Sequence, residues 1–126
     1  MSQHLHTDNA AKPVASYSQA VKAGELVFVS GCIPVNPETG VLEESNIEEA
    51  TAQCLENVKQ ILQGAELGLG NIVKTSIFMI HTEDYAGMDA TYARIVPQPY
   101  PAREAVFVTA LPKNARIEIS VIAKTR

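Results

Sequence analysis

Two residues in the last quarter of the chain, Arg103 and Glu118, have side chains that can bind a carboxylate and activate water. An Arg fork donates two parallel, charge-assisted hydrogen bonds to a planar carboxylate, each contributing about 1.5–3 kcal/mol. A Glu carboxylate can hold and polarise a water, first as general base toward an electrophilic carbon and then as general acid toward a leaving amine. Together they could hydrolyse a small carboxylic acid that carries a carbon–nitrogen bond.

The register of a predicted hairpin decides whether these two side chains meet. Residues 103–108 and 116–123 have strand patterns around a turn at residues 111–114. If Val108 pairs with Lys113, Arg103 lies nearly opposite Glu118. Spacing alone favours a simple cross-strand ion pair over a binding site, because such pairs are common and weak. Both interpretations stay open on this evidence.

The elements that must position these residues follow from hydrophobic periodicity. A strand is predicted from Leu26, ending at Ser30, and a short strand is predicted from Val41. Residues 72–80 predict a long strand, and a second helix is expected to end at or before Val96, ahead of a Pro-rich loop. The first helix is predicted from Ser45, which with Glu48 fits a capping box, and its apolar stripe comprises Ile47, Ala50, Cys54, Leu55, Val58, Ile61, Leu62 and Ala65.

This order, ββ-α-β-α-ββ, predicts an α+β fold with both helices on one face of a mixed sheet. Apolar residues also occur on the opposite alternation face, which one helix layer cannot cover; Phe28 and Ile122 are among the apolar strand residues. We therefore expect a homo-oligomer that associates through the sheet.

Composition excludes several functions. The 126 residues predict one domain, 1–126, large enough for a core without disulfides, and 10 Lys and Arg against 14 Asp and Glu give a net charge of −4. Nucleic-acid binding is therefore not expected. Cys32, Cys54 and the three His residues lack the spacing of a zinc site, so no metal is expected. The sequence has neither a signal-peptide pattern nor an apolar run that would span a membrane, so no membrane association is expected and we predict a cytoplasmic protein.

An ordered set of motifs resembles the Rid family, the reactive intermediate deaminases also called the YjgF family. The resemblance covers nearly the whole chain. It is carried by Pro101 to Val108, Leu111-Pro112-Lys113, Ile117-Glu118-Ile119, Tyr17-Ser18-Gln19-Ala20, Ser30-Gly31 followed by Ile33-Pro34, Asn57-Val58, and Asp84-Tyr85 followed by Ala90-Thr91-Tyr92.

The resemblance implies a chorismate-mutase-like α+β fold, assembled as a homotrimer whose sheets line a central barrel, with clefts between subunits. It implies hydrolysis of 2-imino acids to 2-keto acids and ammonia, without a metal or cofactor. Arg103 would clamp the substrate carboxylate with help from the backbone amide of Ala105, and Glu118 would position the attacking water. Tyr17, Ser30 and Gly31 would line the cleft.

Four positions depart from the family pattern, among them Glu104, Cys32 where Gln is frequent, and Asp89 where Asn is frequent. Ala105 also replaces a frequent Cys, a mild change because the expected contact is through the main chain. Two alternatives to a deaminase remain. One is a noncatalytic module that binds small carboxylates in the same cleft; the other, which the negative charge disfavours, is an endoribonuclease or translation inhibitor.

Overall fold

The computed structural model describes residues 2–125, which form one six-stranded sheet and two α-helices. Short 3₁₀ turns precede β4 and α2 and lie between β5 and β6. The elements are, in chain order, β1 (Ser2–Leu5), β2 (Ala20–Ala23), β3 (Leu26–Cys32), α1 (Ile47–Gln63), β4 (Ile72–Met79), α2 (Tyr85–Ile95), β5 (Ala102–Phe107) and β6 (Ile117–Lys124).

The sheet has the order β1-β2-β3-β6-β4-β5, and β4 and β5 are its one parallel pair within residues 2–125. Helix α1 packs on β3 and β6 and against α2. Helix α2 contacts β4 through the Tyr92 hydroxyl, which donates to Thr75 Oγ1 at 3.0 Å. The predicted α+β class, a mixed sheet with two helices on one face, is confirmed.

The N-cap of the first helix lies one residue later than predicted. Asn46, not Ser45, is the N-cap, and its side chain accepts a hydrogen bond from the Glu49 amide at 2.7 Å. Asn and Ser are comparable caps, so their order in the sequence could not decide between them. The apolar stripe from Ile47 to Leu62 is buried as predicted, and Cys54 lies fully inside the core.

The predicted hairpin of the last two strands does not form. Strand β5 lies at the sheet edge in parallel with β4, after the crossover through α2, whereas β6 inserts between β3 and β4. The physical reason is burial: alternate β6 residues, from Ile117 to Ala123, are all buried, so this strand takes a central position. A parallel connection through a helix then leaves the edge to β5.

Consequently Arg103 and Glu118 are not opposite each other. Arg103 pairs with Thr75 of β4, which pairs with Val121 of β6, and these two partners are buried on the helix-covered face. Glu118 pairs with Phe78. Both residues alternate with those on the helix-covered face and therefore lie on the opposite face of the sheet, which we call the open face. Within one chain the two side chains are therefore on opposite faces of the sheet.

The chain's N-terminal part also differs from the prediction. Val41 begins no strand; only an isolated bridge joins Val35 to Leu42. Strands β1 and β2, which were not predicted, pair next to β3 instead. Both are four residues long and largely polar or partly exposed, so they carry little hydrophobic signal of their own.

The open face of the sheet exposes large apolar side chains. Phe28 on β3 and Val106 on β5 are 43% and 41% exposed, and Val106 shares a row with Phe78 and Glu118. Such a face is typical of a surface that another molecule covers. Among residues 2–125, no helix has the length and apolar character needed to cross a membrane.

Candidate active site

A β-bulge brings Gly31 against Glu118. Between Val29 and Cys32, β3 carries two residues, Ser30 and Gly31, where β6 carries one, so the ladder is interrupted there. A Cβ atom on Gly31 would lie 2.6 Å from Cδ and 3.0 Å from Cγ of Glu118, and closer still to Oε2. Only glycine therefore leaves room for the Glu118 carboxylate in this position.

A cavity of about 270 Å³ opens beside the bulge and is lined by Tyr17, Ser30, Gly31 and Cys32 among others. The segment before β2 forms one wall of this cavity. The buried Gln19 side chain fixes that segment, because its amide accepts from Thr7 N and donates to the Thr7 and Ala11 carbonyls. Ser30 Oγ donates to the Ser18 carbonyl at 2.6 Å, which joins the bulge to the same wall.

The electrostatics of this region disfavour negative charge. Burial raises the pKa of the Glu118 carboxyl above its usual value. The Cys32 thiol is affected more strongly: burial, and secondly the nearby charge of Glu118, raise its pKa to about 12. Cys32 therefore remains a neutral thiol near pH 7, whereas Glu118 titrates closer to neutrality than an exposed carboxylate.

Arg103 belongs to a second cluster, on the helix-covered side of β5. Its Nη1 donates to Asp89 Oδ1 and its Nη2 donates to the Tyr85 hydroxyl, both at 2.9 Å. The guanidinium also lies over the Tyr92 ring, 5.0 Å from the ring centroid, in cation–π contact. Helix α2 thus supplies three side chains that hold Arg103 in place.

The predicted site residues consequently form two groups within one chain. Tyr17, Ser30 and Gly31 line the cavity, and Glu118 lies against Gly31. Arg103 lies with the α2 side chains, and Ala105 follows it on the same face of β5. The register expectation that Arg103 and Glu118 meet within the chain is wrong.

Glu104 points away from Arg103, as strand alternation predicts. Its carboxylate accepts from the Ser76 hydroxyl and pairs with Lys74 at 3.1 Å, on the open face. These two contacts, Ser76 first, lower the pKa of Glu104. Its charge therefore does not oppose an anion bound at Arg103.

The sequence predicts neither the contacts that hold Arg103 nor the ion pair between Asp84 and Arg116. Tyr85 and Tyr92 belong to the family motifs, but the sequence does not indicate that they contact Arg103. Asp84, whose side chain is 4% exposed, accepts from Arg116 Nη2 at 2.8 Å and from Nε at 3.1 Å. A charged residue directly before a helix and another directly before a strand were the available signals, but nothing in their spacing joins them.

Three of the four residues of the first group, Tyr17, Ser30 and Gly31, come from the segment before α1, and the second group comes from α2 and β5. Within the described residues 2–125, no three or more His, Cys, Asp or Glu side chains are grouped so that they could hold a metal ion. The chemical resources are thus an arginine held by α2, a partly desolvated carboxylate, and a cavity lined by the Gly31 that this carboxylate contacts.

Comparison with known proteins assigns the family. Residues 7–125 match the family model described as Endoribonuclease L-PSP. A protein of Salmonella typhimurium named 2-iminobutanoate/2-iminopropanoate deaminase is 41% identical, with 100% of both chains covered. The chain belongs to the Rid family. A RutC family protein of Pyrococcus horikoshii is 42% identical over 98% of each chain.

Solved structures of this family agree with the fold. The YjgF gene product of Escherichia coli is 38% identical, covers 98% of this chain and 99% of its own, and superposes with a TM-score of 0.94. TdcF of the same organism, solved with bound serine, is 34% identical over 97% of this chain and 98% of its own, with a TM-score of 0.93. The predicted family resemblance is confirmed.

Proposed function

We propose that this protein hydrolyses reactive 2-imino acids and their enamine tautomers, such as 2-iminopropanoate and 2-iminobutanoate, to 2-keto acids and ammonia. The observation that carries the proposal is the Glu118 carboxylate, which lies against Gly31, a residue that lines the cavity, and has a pKa above its ordinary value because of burial. A carboxylate whose pKa is raised toward the working pH is a better general base for water. Full-length relatives named as deaminases of these imines support the same enzyme class.

The reaction needs little more than orientation. Glu118 takes a proton from water, and the oxygen bonds to the carbon of the protonated imine; the π electrons of the carbon–nitrogen double bond pass to nitrogen, which gives an amino alcohol. Glu118 then donates that proton to the amine, the carbon–nitrogen bond breaks to release ammonia, and the carboxylate takes up the hydroxyl proton, which leaves the keto group. An imine carbon is already electrophilic, so no covalent nucleophile is required. Arg103 and the Ala105 amide bind the substrate carboxylate, and Tyr17, Ser30 and Gly31 line the remainder of the cleft.

We place the complete site between two copies of the chain, in a homotrimer. Two observations support this arrangement. Arg103 and Glu118 lie on opposite faces of one sheet, so a single small substrate does not reach both within one chain. The open face also exposes Phe28 and Val106, which association would cover. Light scattering should give a mass close to three times the 13.6 kDa of the chain.

The direct test generates 2-iminopropanoate enzymatically from serine and follows pyruvate release. The wild-type protein should accelerate release, Arg103→Ala should abolish the acceleration, and Glu118→Ala should reduce it about 10²- to 10⁴-fold. The matched controls are Arg94→Ala, an exposed arginine on α2, and Glu56→Ala, an exposed glutamate on α1; both should retain the wild-type rate. A wild-type rate equal to that of buffer would refute the proposal.

Mixing the two inactive variants tests the shared cleft. If Arg103 of one copy serves Glu118 of another, randomly reassembled trimers of Arg103→Ala and Glu118→Ala chains contain intact clefts and recover up to about a quarter of the wild-type rate. No recovery after verified subunit exchange would place both residues in one chain's site.

The same variants separate the other candidate functions. A noncatalytic carboxylate-binding module requires Arg103 for binding and has no activity that Glu118→Ala could remove. A ribonuclease would cleave RNA with a rate that falls steeply with salt. A single domain over 1–126 and a cytoplasmic location belong to the same proposal.

A further inference from the structure

Arg103 already forms an ion pair with a carboxylate of its own chain, that of Asp89. Asp89 Oδ1 accepts from Nη1 of Arg103 at 2.9 Å, so the positive charge that would bind a substrate carboxylate is paired before any ligand arrives. A site that binds only an anion gains nothing from such a neighbour, because like charges at this separation repel. The pair therefore suggests a ligand that carries both charges.

We propose that Asp89 and Arg103 together recognise a zwitterion, a carboxylate with an adjacent cationic N–H group. This inference rests on the proposed function, for which it defines the substrate form: the protonated imine, whose iminium nitrogen is bonded to the carbon next to the carboxylate. Arg103 binds the carboxylate and Asp89 accepts the hydrogen bond from the nitrogen.

The donors and acceptors for this arrangement are present. A guanidinium has five N–H donors, and the contacts with Asp89 and Tyr85 use two of them. A fork of remaining N–H groups can therefore bind a ligand carboxylate while the Asp89 contact is kept. The Asp89 side chain is 50% exposed, so its carboxylate is open to an N–H donor of that ligand.

Asp89 is not needed merely to hold Arg103. Two uncharged groups also hold the guanidinium: the Tyr85 hydroxyl accepts a hydrogen bond from Nη2, and the Tyr92 ring centroid lies 5.0 Å from the guanidinium carbon. An asparagine at position 89 would also keep an oxygen that accepts from Nη1. What only the aspartate adds is a negative charge, so that charge is the property to be explained.

The consequence is discrimination between substrate and product. The protonated imine presents an N–H group to Asp89, whereas the 2-keto acid product presents a carbonyl oxygen, which cannot donate and is repelled by the carboxylate. Hydrolysis therefore converts a ligand that binds both Arg103 and Asp89 into one that binds only Arg103. Asp89 favours release of the keto acid and selects against keto acids as competitors.

The test measures binding rather than turnover. Pyruvate serves as the anionic probe and L-serine as the zwitterionic probe, with dissociation constants from calorimetry on wild type, Asp89→Asn and the charge-matched control Glu56→Gln. In Asp89→Asn, pyruvate should bind about fivefold more tightly and L-serine about fivefold more weakly, each change equivalent to about 1 kcal/mol. Glu56→Gln should change neither constant.

Each other outcome overturns the inference. These are equal changes for both probes, no change for either, or L-serine that fails to bind the wild type. Deaminase activity is assayed separately with 2-iminopropanoate. If the two dissociation constants change in the expected opposite directions but the protein has no deaminase activity, the proposed function is refuted and the zwitterion site stands. If the protein is active but the constants do not change in opposite directions, the zwitterion site is refuted and the proposed function stands.

Discussion

Gly31→Ala should disable the site while leaving the fold intact. The backbone of Gly31 does not require a positive φ, and its place at a bulge on β3 accommodates alanine. The obstacle is the Glu118 side chain, whose Cδ and Cγ would lie 2.6 and 3.0 Å from the new Cβ. Real Cβ contacts are ordinarily about 3.4 Å or longer, so the carboxylate must move by roughly 1 Å or more.

The size of the effect follows from that displacement. A misplacement of about 1 Å at a reacting group costs on the order of 10²-fold in rate. Full loss of a general base costs about 10²- to 10⁴-fold, so kcat should fall at least 10²-fold. The atoms that must move are the end of a flexible side chain rather than backbone, so the free energy of unfolding should fall by less than about 1 kcal/mol.

The assay combines kcat on 2-iminopropanoate with urea unfolding. Gly70→Ala is the matched control, because its nearest neighbour would be Pro97 Cγ at an ordinary 3.8 Å, and it should change neither quantity. In a Glu118→Ala background, Gly31→Ala should have no further effect on kcat, since the two changes act on one group. A wild-type kcat in Gly31→Ala, or an additive loss in the double variant, would refute the reasoning.

Three further predictions concern the charges around the site. Burial raises the pKa of Glu118 in the folded chain, so ionisation of this carboxyl lowers the free energy of unfolding as pH rises. Glu118→Gln should therefore have a higher Tm than wild type at pH 7, and the two Tm values should become equal below pH 4.5. At pH 8 the Cys32 thiol, with its pKa of about 12, should react with iodoacetamide roughly 10³-fold more slowly than a thiol of pKa 9.0, and fast labelling of the native protein would contradict this. Arg116→Leu should cost about 3–5 kcal/mol in urea unfolding because it strands the buried Asp84 charge. Asp84→Asn should cost only about 1–2 kcal/mol, because the Arg116 side chain is 26% exposed and reaches water; the reverse order would exclude this explanation.

The helices could be predicted from sequence because their signal is local. The stripe from Ile47 to Leu62 depends on residues three or four positions apart, and α1 begins at Ile47, two residues after Ser45. Helix α2 ends at Ile95, before Pro97, as expected. Helix caps depend on single side chains and were less certain, as Asn46 in place of Ser45 illustrates.

The sheet order could not be predicted in the same way, because it depends on competition among strands. Residues 103–108 and 116–123 are adjacent in the chain and alternate well, which favours a hairpin locally. The more apolar β6 instead takes a central position, and β5 remains at the edge beside β4. The strand order determines every cross-strand neighbour. Because β5 lies beside β4, Arg103 pairs with Thr75 and not with Glu118.

The family motifs name a set of candidate site residues, but they do not indicate how these residues are arranged. The motif around Ser30 and Gly31 gives no indication of the bulge that brings Gly31 against Glu118, because a bulge is defined by pairing with β6. Likewise, nothing in the spacing of Asp89 and Arg103 indicates an ion pair, since α2 and β5 are brought together only by the crossover.

The two halves of the proposed site have different surroundings, because one sheet holds them on opposite faces. Arg103 is held by aromatic and acidic side chains of α2, which only the helix-covered face supplies. Glu118 is partly desolvated against Gly31, and on the open face it shares a row with Phe78 and Val106. A second copy covering that face would exclude more water from Glu118 and raise its pKa further. If the proposed assembly completes the proposed site, the two are coupled: a variant such as Val106→Lys, which places a charge on the open face, should lose activity in parallel with oligomer mass. Full activity in a monomeric Val106→Lys protein would separate the two.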